Sequence, residues 1–152
     1  MLNFKKSSIY LCVVAVMCVC QCDMAFGDTI IVYTEKGSES CRFEVELAVT
    51  PEEQARGLMF RKTMGDHDGM FFIFERDETR HFWMRNTLIP LDMIFIDSKF
   101  LVVDVYRNAK PLDETVISSR KPARYVLEVN AGRANKCRIT VGSKTKLIKI
   151  LR

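Results

Sequence analysis

Residues 41–47, Cys41-Arg42-Phe43-Glu44-Val45-Glu46-Leu47, alternate apolar and charged side chains one by one. A period of two puts every apolar residue on one side of a strand and on no single side of a helix. Runs of the same short length recur along the chain: 29–34, 70–74, 81–84, 93–96, 100–106, 125–129, 138–141 and 147–151. Polar or glycine-containing stretches separate them, among them loops expected over 60–69 and 107–121 and a solvated turn over 75–80. Helical signals are few. Thr50-Pro51-Glu52-Glu53 offers a threonine N-cap, proline in the first turn and glutamate three residues past the cap, with Gly57 as the stop. Residues 130–136 allow one further helical turn. About eight short strands and one or two short helices give an all-β fold class, a compact single-domain barrel or sandwich.

The front of the chain belongs to a different regime. Lys5 and Lys6 precede an uncharged apolar run over 9–20 that is too short to cross a bilayer, and Ala25-Phe26-Gly27 supplies small residues at a cleavage site. This is a signal-peptide layout, so residues 1–27 are read as a signal peptide and 28–152 as a single exported domain, periplasmic or secreted. Cys12, Cys18, Cys20 and Cys22 fall in the discarded segment, and none follows the small residue that lipidation favours. Cys41 and Cys137 remain, in a compartment that permits disulfides. They are either bridged, which would contribute up to about 4–5 kcal/mol, or two free buried thiols.

Removing Lys5, Lys6 and Asp23 takes the formal charge from +4 to +3, with both signs well mixed. Such a balance selects no partner by charge. Basic clusters at Arg56, Arg61 and Lys62, at Arg120, Lys121 and Arg124, and over 144–152 read as solvated faces, and export argues against nucleic acid. No second apolar span, repeat or low-complexity stretch is present, and a monomer is expected.

Chemistry concentrates in residues 81–92, His81-Phe82-Trp83-Met84-Arg85-Asn86-Thr87-Leu88-Ile89-Pro90-Leu91-Asp92, which hold the chain's one tryptophan. Trp83 shares a strand face with His81 and Arg85, opposite Phe82 and Met84. It is either a stacking platform for a sugar or other ring, or a large core aromatic. Asp92 lies among apolar residues, where an unpaired charge costs several kcal/mol, so Arg85, Asn86 or Thr87 is expected to meet it across Pro90. It either pins that bend or, with Arg85 and Asn86, builds a polar ligand site. Glu128 is a second carboxylate in a strand, on the face of Val126 and Asn130, and an Asp92–Glu128 hydrolase depends on their separation. Met59, Met64, Met70, Met84 and Met93 with His67 and His81 offer soft ligands for Cu(I), against the plainer role of methionine as a core filler. Nucleophile-elbow, zincin, phosphate-loop and dinucleotide signatures are absent.

Five blocks, Gly57-Leu58-Met59-Phe60-Arg61, Asp68-Gly69-Met70-Phe71-Phe72, Phe82-Trp83-Met84-Arg85-Asn86-Thr87, residues 90–96 and residues 123–132, occur in order at compatible spacing. From about Cys41 to the last strand the chain closely resembles the prokaryotic family known as domain of unknown function 192. The resemblance implies a compact β-barrel-like domain, often exported. No activity is established for that family, so it carries over no catalytic residue. Cys41 and Cys137 depart from its usual pattern.

The expectation is therefore an exported small domain that binds a polar small molecule, glycan or partner segment at a cleft near Trp83, Arg85, Asn86, Thr87 and Asp92. A hydrolase or lyase using Asp92 with Glu128, and a Met/His copper-handling protein, are the alternatives. No cofactor is called for by the residues.

Overall fold

The computed structural model describes residues 28–149, so the signal-peptide expectation for 1–27 lies outside the described residues. These fold into a single compact, mostly stranded domain with two short helices. The strands are β1 (Asp28–Tyr33), β2 (Glu39–Ala48), β3 (Asp68–Glu78), β4 (His81–Phe82), β5 (Leu91–Ile96), β6 (Val102–Ala109), β7 (Ile117–Ser118), β8 (Ala123–Asn130) and β9 (Lys144–Ile148), and the helices are α1 (Pro51–Arg56) and α2 (Arg133–Lys136). Seven strands form one mixed sheet in the order β6-β5-β8-β3-β2-β1-β9, while β4 and β7 pair separately. The sheet is not a closed barrel. Its outer strands β6 and β9 approach through an isolated bridge between Leu101 and Lys144, beside a hydrogen bond from Thr145 N to Phe100 O of 2.8 Å.

The β2–β3 pair is parallel and the other pairs are antiparallel. Parallel neighbours cannot be joined by a tight hairpin. The crossover between them carries α1, whose ends follow the local sequence. Glu53 N donates to Thr50 Oγ1 at 3.2 Å and Thr50 N donates to Glu53 Oε2 at 2.9 Å, a reciprocal cap, and Gly57 ends the helix at φ 47°. No helix among the described residues is long and apolar enough to cross a membrane.

Alternation along the strands sorts the buried side chains into two clusters on opposite faces of the sheet. One holds Phe43, Val45, Phe71, Ile94, Leu127, Val129 and Cys137. Cys41 packs against it and is bridged to Cys137 with Cα atoms 5.6 Å apart, tying β2 to the turn after α2. The other holds Met70, Phe72, Leu91, Met93, Phe95 and Val126, covered by Leu58, Met84, Ile89 and Ile117 from the connecting segments.

Four expectations about elements are corrected. β3 continues through the charged residues 75–78, because an irregularity after Ile73 brings Glu78 opposite Ala123 and Arg124 Nε donates to Phe74 O at 3.2 Å. The strand expected over 81–84 is two residues long: Trp83 and Met84 leave the ladder, and Met84 N donates instead to Asp113 O at 2.8 Å. Residues 138–141 are a turn; Arg138 takes a left-handed φ of 51°, and Ile139 N donates back to Ala134 O at 2.8 Å. The expected 107–121 loop contains the end of β6 and all of β7.

Candidate functional site

On the second face the covering layer is incomplete, leaving a cleft of about 480 Å³. Its floor is sheet: Phe72 and Phe74 from β3 and Glu128 from β8. Its walls are α1 with the turn through Met59, the segment from Glu78 to Trp83, and Thr87.

Glu128 is placed by the register. Met70 of β3 and Met93 of β5 are its partners on either side, so two apolar side chains flank the carboxyl. β3 approaches β8 closely one residue away, where a Cβ on Gly69 would lie 2.6 Å from Glu128 O. Only 4% of Glu128 is exposed. No described residue donates a hydrogen bond to its carboxyl. Without donors or a countercharge, burial pushes the carboxyl up to about 8, so it is neutral near pH 7. With no protein donor on them, the carboxyl oxygens open onto the cleft.

Trp83 leaves the ladder and is 47% exposed at the cleft wall, while Phe82 before it turns inward and packs edge-on against Phe72 at 5.2 Å. The split of this segment into an inner Phe82/Met84 face and an outer His81/Trp83/Arg85 face follows the alternation in the sequence. His81 Nδ1 is 2.8 Å from Ser118 Oγ across the β4–β7 pair. Arg80 is nearly enclosed: Nε donates to Ala123 O at 2.8 Å and its Cζ lies 3.9 Å above the Phe74 ring. Burial lowers the pKa of that guanidinium. Glu78 is held by Arg76 at 2.5 Å and Arg80 at 3.6 Å.

Of the five residues expected at a ligand site, Trp83 and Thr87 line the cleft, and Arg85, Asn86 and Asp92 do not. Arg85 points to Glu114 at 3.9 Å on the outside. Asn86 makes the turn in the left-handed region at φ 57°, and its carbonyl accepts from Phe60 N at 2.8 Å. Asp92 is fully buried and accepts from two backbone amides, Asn108 N at 2.9 Å and Ala134 N at 2.8 Å. It ties β6 and α2 to β5, and its partners are not Arg85, Asn86 or Thr87.

The structure does not bring Asp92 and Glu128 together. Met93 pairs with Glu128 and Asp92 with Val129, so the two carboxylates project from opposite faces of the sheet. A catalytic pair across one substrate is not available from them. Met70, Met84 and Met93 are packed in the second cluster, with Met64 against it, and His67 Nδ1 lies 3.4 Å from Arg42 O on another part of the surface. Among the described residues no group of three His, Cys, Asp or Glu side chains converges as metal ligands do.

Residues 31–147 match the model of the family described as Uncharacterized ACR, DUF192. The chain belongs to this family. No curated protein matches it. A crystal structure from Sinorhizobium meliloti 1021, designated "putative transcription regulator", is similar at 37% identity and a TM-score of 0.76, covering 79% of this chain and 92% of that one. A protein of unknown function from Novosphingobium aromaticivorans DSM 12444 is similar at 42% identity and a TM-score of 0.73, covering 78% of this chain and 83% of that one. Membership thus supports the fold and leaves the role of the cleft to its own chemistry.

Arg80 and the phenylalanine floor escaped the sequence reading, since Phe72 and Phe74 read as ordinary core, and Arg56 was placed with Arg61 and Lys62 in a basic cluster on a solvated face. The alternation of β8 did mark Glu128 as a carboxylate within a strand, on the face of Val126 and Asn130.

Proposed function

We propose that this exported domain binds a small ring-bearing polar molecule in the cleft between Trp83 and Glu128. The observation that carries this reading is a half-exposed indole in the same cleft as a buried carboxyl that no protein group satisfies. A ring stacks on Trp83 and the phenylalanine floor supplies apolar contact, while a polar group on the ligand meets Glu128. Sites of this kind are concave, largely apolar and carry few polar groups, as this one does. Binding without turnover is the reading retained, because Glu78, the other carboxylate in the cleft, is already held by two arginines.

Trp83 is the chain's one tryptophan, so its fluorescence reports on the cleft alone. Titration of the mature domain with mono- and disaccharides and ring-bearing organic acids should give a saturable change for at least one class. Calorimetry on Trp83→Ala should then show at least a tenfold weaker complex, as expected for loss of a stacking contact worth about 1.5 kcal/mol. Saturable binding that Trp83→Ala leaves unchanged would place the ligand elsewhere and overturn the reading.

A further inference from the structure

Which chemical class fits the cleft follows from the groups around Glu128. On the sheet it is flanked by Met70 and Met93, neither of which titrates. The charged and titratable groups facing the same space are Arg56 from α1, Glu78 at the end of β3, Arg80 between β3 and β4, and His81 from β4. Arg80 and Glu78 pair with each other. Arg56 has no ion-pair or side-chain hydrogen-bond partner among the described residues. The cleft therefore presents one unpaired guanidinium at its wall and, in its floor, one carboxyl that no protein group hydrogen-bonds.

We propose, building on the binding reading above, that the ligand is a ring-bearing organic acid whose carboxylate accepts a hydrogen bond from the neutral carboxyl of Glu128, with Arg56 balancing its charge. A carboxyl enclosed by methionine and phenylalanine side chains holds its proton, and a protonated carboxyl is a donor. The carboxyl opens onto the cleft, so that proton can be offered to an anionic oxygen bound there. An ammonium-bearing ligand would instead require Glu128 to ionise in an apolar wall and would meet Arg56 and Arg80 with like charge. Nothing but hydrogen bonding and ion pairing is involved; no bond is made or broken.

Benzoate, benzyl alcohol and benzylamine share one ring and differ in charge, so together they separate the possibilities. Each is titrated against the mature domain at pH 7, to about 20 mM because fragments of this size reach only millimolar dissociation constants, with Trp83 fluorescence and calorimetry as readouts. Benzoate is expected to bind most tightly and benzylamine least. Benzoate affinity should fall about tenfold per pH unit above about 8, as Glu128 loses its proton. The fall should persist in His81→Gln and vanish in Glu128→Gln, whose amide still donates. Glu128→Leu should lower benzoate affinity about tenfold. Arg56→Ala should lower it roughly two- to fivefold and leave benzyl alcohol unchanged, the scale of an exposed ion pair. Benzylamine binding more tightly than benzoate, or affinity that rises with pH, overturns the organic-acid inference while leaving the binding site in place. If none of the three perturbs Trp83, both the inference and the binding reading fall.

Discussion

Replacing Glu128 by glutamine should stabilise the domain by an amount that depends on pH in a specific way. In the fold, burial raises this carboxyl to about 8, whereas in the unfolded chain it titrates near 4.3 or so. A raised folded pKa means that the neutral carboxyl's contribution is fully present below about pH 4.3 and is lost as pH rises toward about 8. Between those limits the unfolded chain has released a proton that the folded chain still holds. Wild-type stability therefore falls by roughly 1.4 kcal/mol per pH unit relative to a variant with no proton there. Glutamine has nearly the same shape, remains neutral and binds no proton. The gap between Glu128→Gln and wild type should be close to zero at pH 4, reach an upper bound of about 4 kcal/mol at pH 7, and stop growing above about pH 8. For a domain of this size that is a shift on the order of 10 °C in Tm. Urea unfolding of both proteins at pH 4, 5.5, 7 and 8.5, with the disulfide intact, measures the gap directly. A gap that is constant across this range, or absent at pH 7, would refute the claim that Glu128 is held neutral by burial.

Two further outcomes follow from the other groups. Asp92→Asn should cost about 2–3 kcal/mol in urea unfolding, because one of its two backbone donors then faces an NH2 group, while ligand titrations monitored at Trp83 stay unchanged; weaker binding without loss of stability would return Asp92 to the cleft. The Cys41–Cys137 bridge closes a separation of 96 residues, so the Cys41→Ala/Cys137→Ala double variant should lose up to about 4–5 kcal/mol, and thiol labelling of the unfolded, unreduced wild-type domain should find neither cysteine free.

The fold was legible where a local signal and the tertiary context agree. Strict alternation over 41–47 marks a strand with one buried face, and that is how Phe43 and Val45 sit in β2. The Thr50/Glu53 cap and Gly57 stop were readable because capping depends only on residues within one turn of each other. Pairing of distant segments is different. Nothing near residues 75–78 indicates that Ala123 will meet Glu78, and the charges there suggest a turn. The apolar spacing of 138–141 resembles a strand, yet only the docking of Ile139 beneath α2 decides its conformation.

The candidate site divides the same way. Trp83 and Glu128 were visible as an aromatic and a carboxylate at marked positions on strand faces. Asp92 was conspicuous for the same reason, but its chemistry is settled by amides that are distant in sequence, at Asn108 and Ala134. Sequence alternation cannot say which side of a sheet is open, so Asp92 and Glu128 looked alike until the register placed them on opposite faces. Arg85 and Asn86 belong to a turn whose left-handed residue directs the one outward and ties the other to Phe60.

The measurement that bears most directly on the cleft is the 13C chemical shift of the Glu128 carboxyl carbon, assigned by its absence in Glu128→Gln and followed from pH 4 to 10 with and without benzoate. The expected result is a midpoint near 8 in the free protein that moves upward when benzoate is present, since an anion beside the carboxyl holds the proton more tightly. A midpoint near the ordinary glutamate value of about 4.3, with no response to benzoate, would contradict both the neutral carboxyl and the site built on it.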